Sequence, residues 1–214
     1  MITLKNVVAA TSLFVSFSAS ASIISLDFEG VGNKNPVGNF YNGGAGINYG
    51  IEFSGATLGL VDSEAGGNGN FANEPSPNTI MFFLDANNAF LNFAAGFDTG
   101  FSFFYTSGTN ASVKVYDGLN GTGNILATLA LASQGFDNCT GDPSGSFCNF
   151  TAVGVAFAGN AKSIDFGGTA NQTGFDNITF GTDTPVVSAV PVPAAAWLFG
   201  SALLGFAGFR RKSV

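Results

Sequence analysis

The sequence predicts an all-β fold, an antiparallel jelly-roll-like sandwich, on three observations. The apolar segments between residues 22 and 184 are short and rich in Phe, Val and Ile. Each is strand-length and bounded by Gly, Asn, Asp or Ser. No helix of ordinary length lies between them, so no crossover can join parallel strands and the sheets must be antiparallel. With 24 Phe among 214 residues the chain is too apolar to stay disordered, although only 10% of it is charged.

Taken in order, residues 1–21 carry Lys5, an apolar run from Val7 to Phe17 and the small residues Ala19 and Ala21. That three-part pattern predicts a secretory signal peptide cleaved after Ala21. Strands are then expected over 23–28, 50–61, 79–84, 89–95, 100–106, 111–117, 124–131, 150–157, 161–166 and 175–180. Val113 and Val115 alternate with Ser112, Lys114 and Tyr116, the pattern of a half-buried strand, and the Gly-rich residues 118–123 turn it back into the next. Residues 81–84 and 101–105 lack such alternation and predict burial on both faces. The body ends at 184, a linker with a Pro-x-Pro motif occupies 185–193, and an apolar helix with a basic tail occupies 194–214. Residues 194–209 carry no charge; as a helix they reach about 24 Å, slightly short of the roughly 30 Å hydrocarbon core. Pro193 suits a first helical position and Trp197 an interfacial one. Arg210, Arg211 and Lys212 follow, which predicts that this end stays cytoplasmic while the body lies outside.

Pro191-Val192-Pro193, then small residues, an apolar helix containing Trp197-Leu198-Phe199-Gly200-Ser201, and Arg210-Arg211-Lys212 occur in that order. This stretch resembles the PEP-CTERM sorting signal of exported proteins of Gram-negative bacteria, with Val192 at the position of the name-giving Glu. The resemblance covers the C-terminal tail only. It implies passage through the inner membrane, recognition and removal of the tail by an exosortase, a membrane-embedded cysteine transpeptidase-like enzyme, and delivery to the cell surface or extracellular matrix.

The chain has no His, which excludes His-based general bases, Ser/His/Asp and Cys/His nucleophiles and His-ligated metals. The body carries 14 acidic residues against three basic ones (Lys34, Lys114 and Lys162), a formal charge of −11. A nucleic-acid partner needs a basic stripe and is excluded; divalent cations suit this charge better. Cys139 and Cys148, the only cysteines, sit in a Gly/Pro/Ser loop and predict a structural disulfide in an exported protein. In a jelly roll the first and last strands often adjoin, so Asp27 and Glu29 on the opening strand could meet Asp176 and Asn177 on the closing one around Ca²⁺. The Gly-rich loop 62–70 and the pair Asp137 and Asp142 are further acidic sets. For all three, turn carboxylates bonding their own backbone are the competing reading.

The function expected is a surface or matrix structural and binding module for calcium or carbohydrate, with Phe40, Tyr41 and Tyr49 as an aromatic platform for sugar. The alternative is a glycoside hydrolase using two of Asp27, Glu29, Asp62, Glu64, Glu74 or Asp176, since that chemistry needs only two carboxyl groups. No flanking motif marks such a pair and the one Trp lies in the tail, so no catalytic residue is assigned and the protein is read as a non-enzyme.

Overall fold

Eleven strands succeed one another in the computed structural model, which describes residues 23–139 and 145–187. They are β1 (Ile24–Leu26), β2 (Ile51–Phe53), β3 (Thr57–Val61), β4 (Thr79–Phe83), β5 (Phe90–Phe97) and β6 (Gly100–Ser107). Then come β7 (Ala111–Tyr116), β8 (Ile125–Leu131), β9 (Thr151–Ala156), β10 (Ala161–Phe166) and β11 (Thr173–Phe180). The first sheet runs β3-β4-β11-β6-β9 with β1 also on β11, and the second runs β2-β5-β10-β7-β8. Every pairing between these strands is antiparallel, as expected for a sandwich without crossover helices. The helical content among the described residues is one 3₁₀ turn, Ala86–Asn88, capped by Asp85, whose side chain accepts from the Asn87 amide.

One expected strand is corrected. Residues 50–61 form two strands in different sheets, β2 beside β5 and β3 beside β4. The chain turns at Ser54: its carbonyl accepts from the Thr57 amide at 3.1 Å, while its own amide donates to the Phe90 carbonyl at 2.9 Å and its Oγ accepts from the Phe90 amide. Ser54 therefore finishes the second-sheet strand, and Gly55 and Ala56 carry the chain across to the first sheet.

The two sheets meet through phenylalanine. Phe166 of β10 packs against Phe175 of β11 at 4.9 Å between ring centres, and Phe97 of β5 meets Phe180 edge-on at 4.8 Å. Phe83 and Phe103 flank Phe175 within the first sheet. These offset and edge-on arrangements suit the ring quadrupoles as well as the area buried. Strand β11 is buried along its whole length, covered on one side by this core and on the other by loops.

Cys139 and Cys148 form the expected disulfide, with Cα atoms 5.0 Å apart. Asp142 lies outside the described residues, as do the predicted signal peptide 1–21, the Pro-x-Pro motif Pro191-Val192-Pro193, and the helix and tail bearing Trp197, Arg210, Arg211 and Lys212. Among the described residues no helix is long and apolar enough to cross a membrane.

Candidate functional site

The opening and closing strands do lie side by side. Along one edge β11 pairs with β4 through Gly174 and Phe175, then with β1 from Ile178 to Phe180. Asp176 and Asn177 fall at the changeover. There the register between β6 and β11 also shifts, and Asn177 adopts φ +47°, so the strand bulges. The bulge opens a gap in the edge, and residues 74–79 enter it.

Ser76, itself buried, is the residue that fills the gap. Its amide donates to Asp176 Oδ2 at 2.8 Å, and the Asn177 amide donates to Oδ1 at 2.7 Å. Ser76 Oγ lies 2.9 Å from both carboxyl oxygens and 3.1 Å from the Asp27 carbonyl. Asp176 is fully buried, and that desolvation outweighs the donors and raises its pKa to about 8. It is therefore mostly protonated at neutral pH. In that form it can donate to Ser76 Oγ, which in turn can donate to the Asp27 carbonyl, so one chain of hydrogen bonds links β11, the 74–79 loop and β1.

Glu29 ties the same loop from the other side. Its Oε1 accepts from the amides of Asn78 at 2.9 Å and Thr79 at 2.7 Å, and Oε2 accepts from Thr79 Oγ1. Asp27 Oδ1 accepts from the Glu29 amide, closing a tight turn as the chain leaves β1. Phe28, between them, has φ +61°, unusual for so bulky a residue, and its amide donates to the Tyr41 hydroxyl at 2.8 Å. All four residues expected at a Ca²⁺ site are thus gathered at one corner of the sandwich, where the carboxyl groups of Asp27, Glu29 and Asp176 accept from backbone amides. Among the described residues no group of three or more Cys, Asp or Glu is placed to hold a metal ion.

On the solvent side of this corner is a cleft of about 580 Å³. Strand alternation turns Leu26 into the core and presents Ser25 and Asp27 to the cleft, and Glu29 continues that wall. Phe40, Tyr41 and Tyr49 form the other wall. Phe40 meets Tyr41 edge-on at 4.9 Å, and Tyr49 stacks on Tyr41 at 6.3 Å. Tyr41 is buried beneath its two neighbours, and burial, reinforced by the nearby Asp27 charge, holds its phenol above the ordinary tyrosine range. Phe40 and Tyr49 keep part of their surface open. The loop closes tightly at Gly44, where a Cβ would lie 2.6 Å from the Asn39 carbonyl. Ser25 Oγ is buried and has no hydrogen-bond partner.

The remaining acidic sets behave as turns. Asp62 Oδ1 accepts from the Glu64 amide, and the 62–70 loop folds back through the Asp62 and Gly69 bridge. Glu74 has its pKa raised to about 7, first by burial and then by the charges of Asp62, Glu29 and Glu64. Asp137 lies exposed in the turn before the disulfide. Ser76 carries no flag in the sequence; the flanking Pro75 and Pro77 are the only local sign that its backbone is held rigid.

No protein-family model and no curated protein matches the chain. Solved structures with some similarity include a glycoside hydrolase family 43 arabinoxylan arabinofuranohydrolase from Bacillus subtilis, at 17% identity and TM-score 0.38, over 60% of this chain and 25% of that one. The family 6 carbohydrate-binding module of Cellvibrio mixtus lichenase 5A is similar at 13% identity and TM-score 0.36, over 60% and 88%. The K2 adhesin domain of Lys-gingipain is similar at 10% identity and TM-score 0.43, over 76% and 99%. The sandwich assignment rests on the strand pairings above and not on these likenesses.

Proposed function

We propose that this is an exported cell-surface or extracellular-matrix protein, sorted by its PEP-CTERM-like tail, whose sandwich binds polysaccharide in the cleft between β1 and residues 40–49. The observation that carries the reading is the pairing, in one open cleft, of the aromatic rings of Phe40 and Tyr49 with the carboxylate of Asp27. A pyranose offers the complement: a C–H face for a ring and hydroxyls that donate to carboxylates. The order β4-β11-β6-β9 facing β5-β10-β7-β8 supports a jelly-roll reading of the sandwich. The disulfide suits an oxidising compartment. The reading is one of binding without catalysis: Glu29 is committed to two backbone amides and a hydroxyl, Asp176 is sealed from any substrate, and Glu74, whose pKa is also raised, does not line the cleft.

Affinity electrophoresis of the protein through gels containing neutral or acidic exopolysaccharides tests the cleft. Retardation of the wild type is expected, with Phe40→Ala and Tyr49→Ala each weakening it about tenfold, the equivalent of about 1.4 kcal/mol. Unretarded migration through every glycan would overturn the proposal. The sorting half is read by intact mass: protein recovered from the envelope should lack the tail, and replacing Arg210, Arg211 and Lys212 with Gln should leave it attached.

A further inference from the structure

We infer that Asn42-Gly43, in the loop that carries Phe40, Tyr41 and Tyr49, is a self-modification site at which Asn42 converts to isoaspartate and aspartate. The chemistry needs water alone and is independent of what the cleft binds. The Gly43 nitrogen, having lost its proton to hydroxide, attacks Asn42 Cγ and closes a five-membered succinimide ring. The Cγ–Nδ2 bond then breaks, and Nδ2 takes a proton from water and leaves as ammonia. Water opens the ring in one of two ways. Cleavage of the new N–Cγ bond gives aspartate; cleavage of the original peptide C–N bond gives isoaspartate, with the main chain rerouted through Cβ and Cγ. The attacking nitrogen must be free of hydrogen bonds, its residue unhindered, and the asparagine side chain able to turn toward it.

The chain has three Asn-Gly steps, at 42-43, 68-69 and 120-121, and the fold withdraws two of them. The Gly69 amide donates to the Val61 carbonyl at 2.8 Å, and Asn68 Oδ1 accepts from Asn33 Nδ2 at 2.7 Å. The Gly121 amide donates to Ser163 Oγ at 2.9 Å, and Asn120 Oδ1 accepts from Asn92 Nδ2 at 2.7 Å. Each of these sites must break two hydrogen bonds before its nitrogen can reach Cγ. At 42-43 both residues are exposed, and among the described residues neither the Asn42 side chain nor the Gly43 amide has a hydrogen-bond partner. Nothing lies within 4 Å of the position a Cβ on Gly43 would take, so the approach to that nitrogen is open. A turn asparagine ordinarily bonds its own backbone; this one does not, so turn formation alone gives no reason for its amide. The product reshapes the loop. Isoaspartate adds one carbon to the main chain between Tyr41 and Gly43, inside the turn where the amides of Asn42 and Gly44 both donate to the Asn39 carbonyl. It also sets a new carboxylate in the hollow that Asn42 shares with Glu52, where like charges repel.

The test is peptide mapping by mass of the full chain aged at mildly alkaline pH, once folded and once in urea, with isoaspartate labelled by an isoaspartyl methyltransferase. In urea the three sites should convert alike. In the fold Asn42 should convert nearly as fast as in urea, while Asn68 and Asn120 should each slow about tenfold, the effect of two hydrogen bonds that must first break. Asn42→Gln, whose longer side chain would have to close a less favourable six-membered ring, should abolish most labelling of the folded chain. Hydrogen exchange at the Gly44 amide should quicken in the converted protein as its bond to Asn39 is lost. Conversion of folded Asn42 no faster than that of Asn68 or Asn120, or labelling of the folded chain unchanged by Asn42→Gln, would overturn the site. Unaltered exchange at Gly44 in fully converted protein would overturn the reshaping of the loop.

Discussion

Raising the pH from 5 to 7 should destabilise this protein through Asp176. The buried acid keeps its proton in the fold up to about pH 8, whereas in the unfolded chain it ionises at the ordinary carboxylate value. Between those limits the native state binds the extra proton, so stability falls as pH rises. At about 1.4 kcal/mol per pH unit, crossing from 5 to 7 removes about 3 kcal/mol. Asp176→Asn cannot titrate and isolates this contribution. Its amide retains one acceptor oxygen where the backbone amides of Ser76 and Asn177 present two donors, so at pH 5 the variant should be less stable than wild type by about 1–3 kcal/mol. The deficit should close by pH 7 and leave the variant equal or more stable at pH 8. Urea unfolding at half-unit pH steps measures both curves. Glu74, whose pKa is also raised, adds a smaller fall of the same sign that is common to both proteins and cancels in the difference. A wild-type-minus-variant difference that stays constant from pH 5 to 8 would refute the reasoning, because it would mean that Asp176 is ionised in the fold throughout.

Two further outcomes follow from the packing. Replacing Cys139 and Cys148 with Ser opens a short loop, and chemical denaturation should report a loss of about 2–3 kcal/mol. Phe175→Ala removes a fully buried ring that touches Phe83, Phe103 and Phe166, so it should cost about 3–5 kcal/mol, read as a drop in the unfolding midpoint with little change in slope.

The strands were legible because each is a short apolar run between turn formers, and the antiparallel arrangement because nothing helical separates them. What failed at 50–61 was local by nature. The apolar run continues from Ile51 to Val61 with only a shift of phase between Phe53 and Leu58 to mark a break, while the change of sheet at Ser54 is decided by its bonds to Phe90, far along the chain. The site divides in the same way. Asp27, Glu29, Asp176 and Asn177 could be placed together because first and last strands adjoin, and the aromatic run at 40–49 could be singled out by composition. Ser76 could not, because its role comes from filling a gap left where β11 changes partners.

The pairing of Ile24 with Phe180 places the start of the first strand and the finish of the last opposite each other. Tension drawn between the two chain ends would accordingly unzip β1 from β11 one rung at a time, with only three rungs to resist, and the next to yield would be the Asp27, Ser76 and Asp176 relay. The wall of the cleft is therefore the first part of the sandwich to feel a pull on both ends. A load shared by the ends would deform the cleft long before the phenylalanine core gave way.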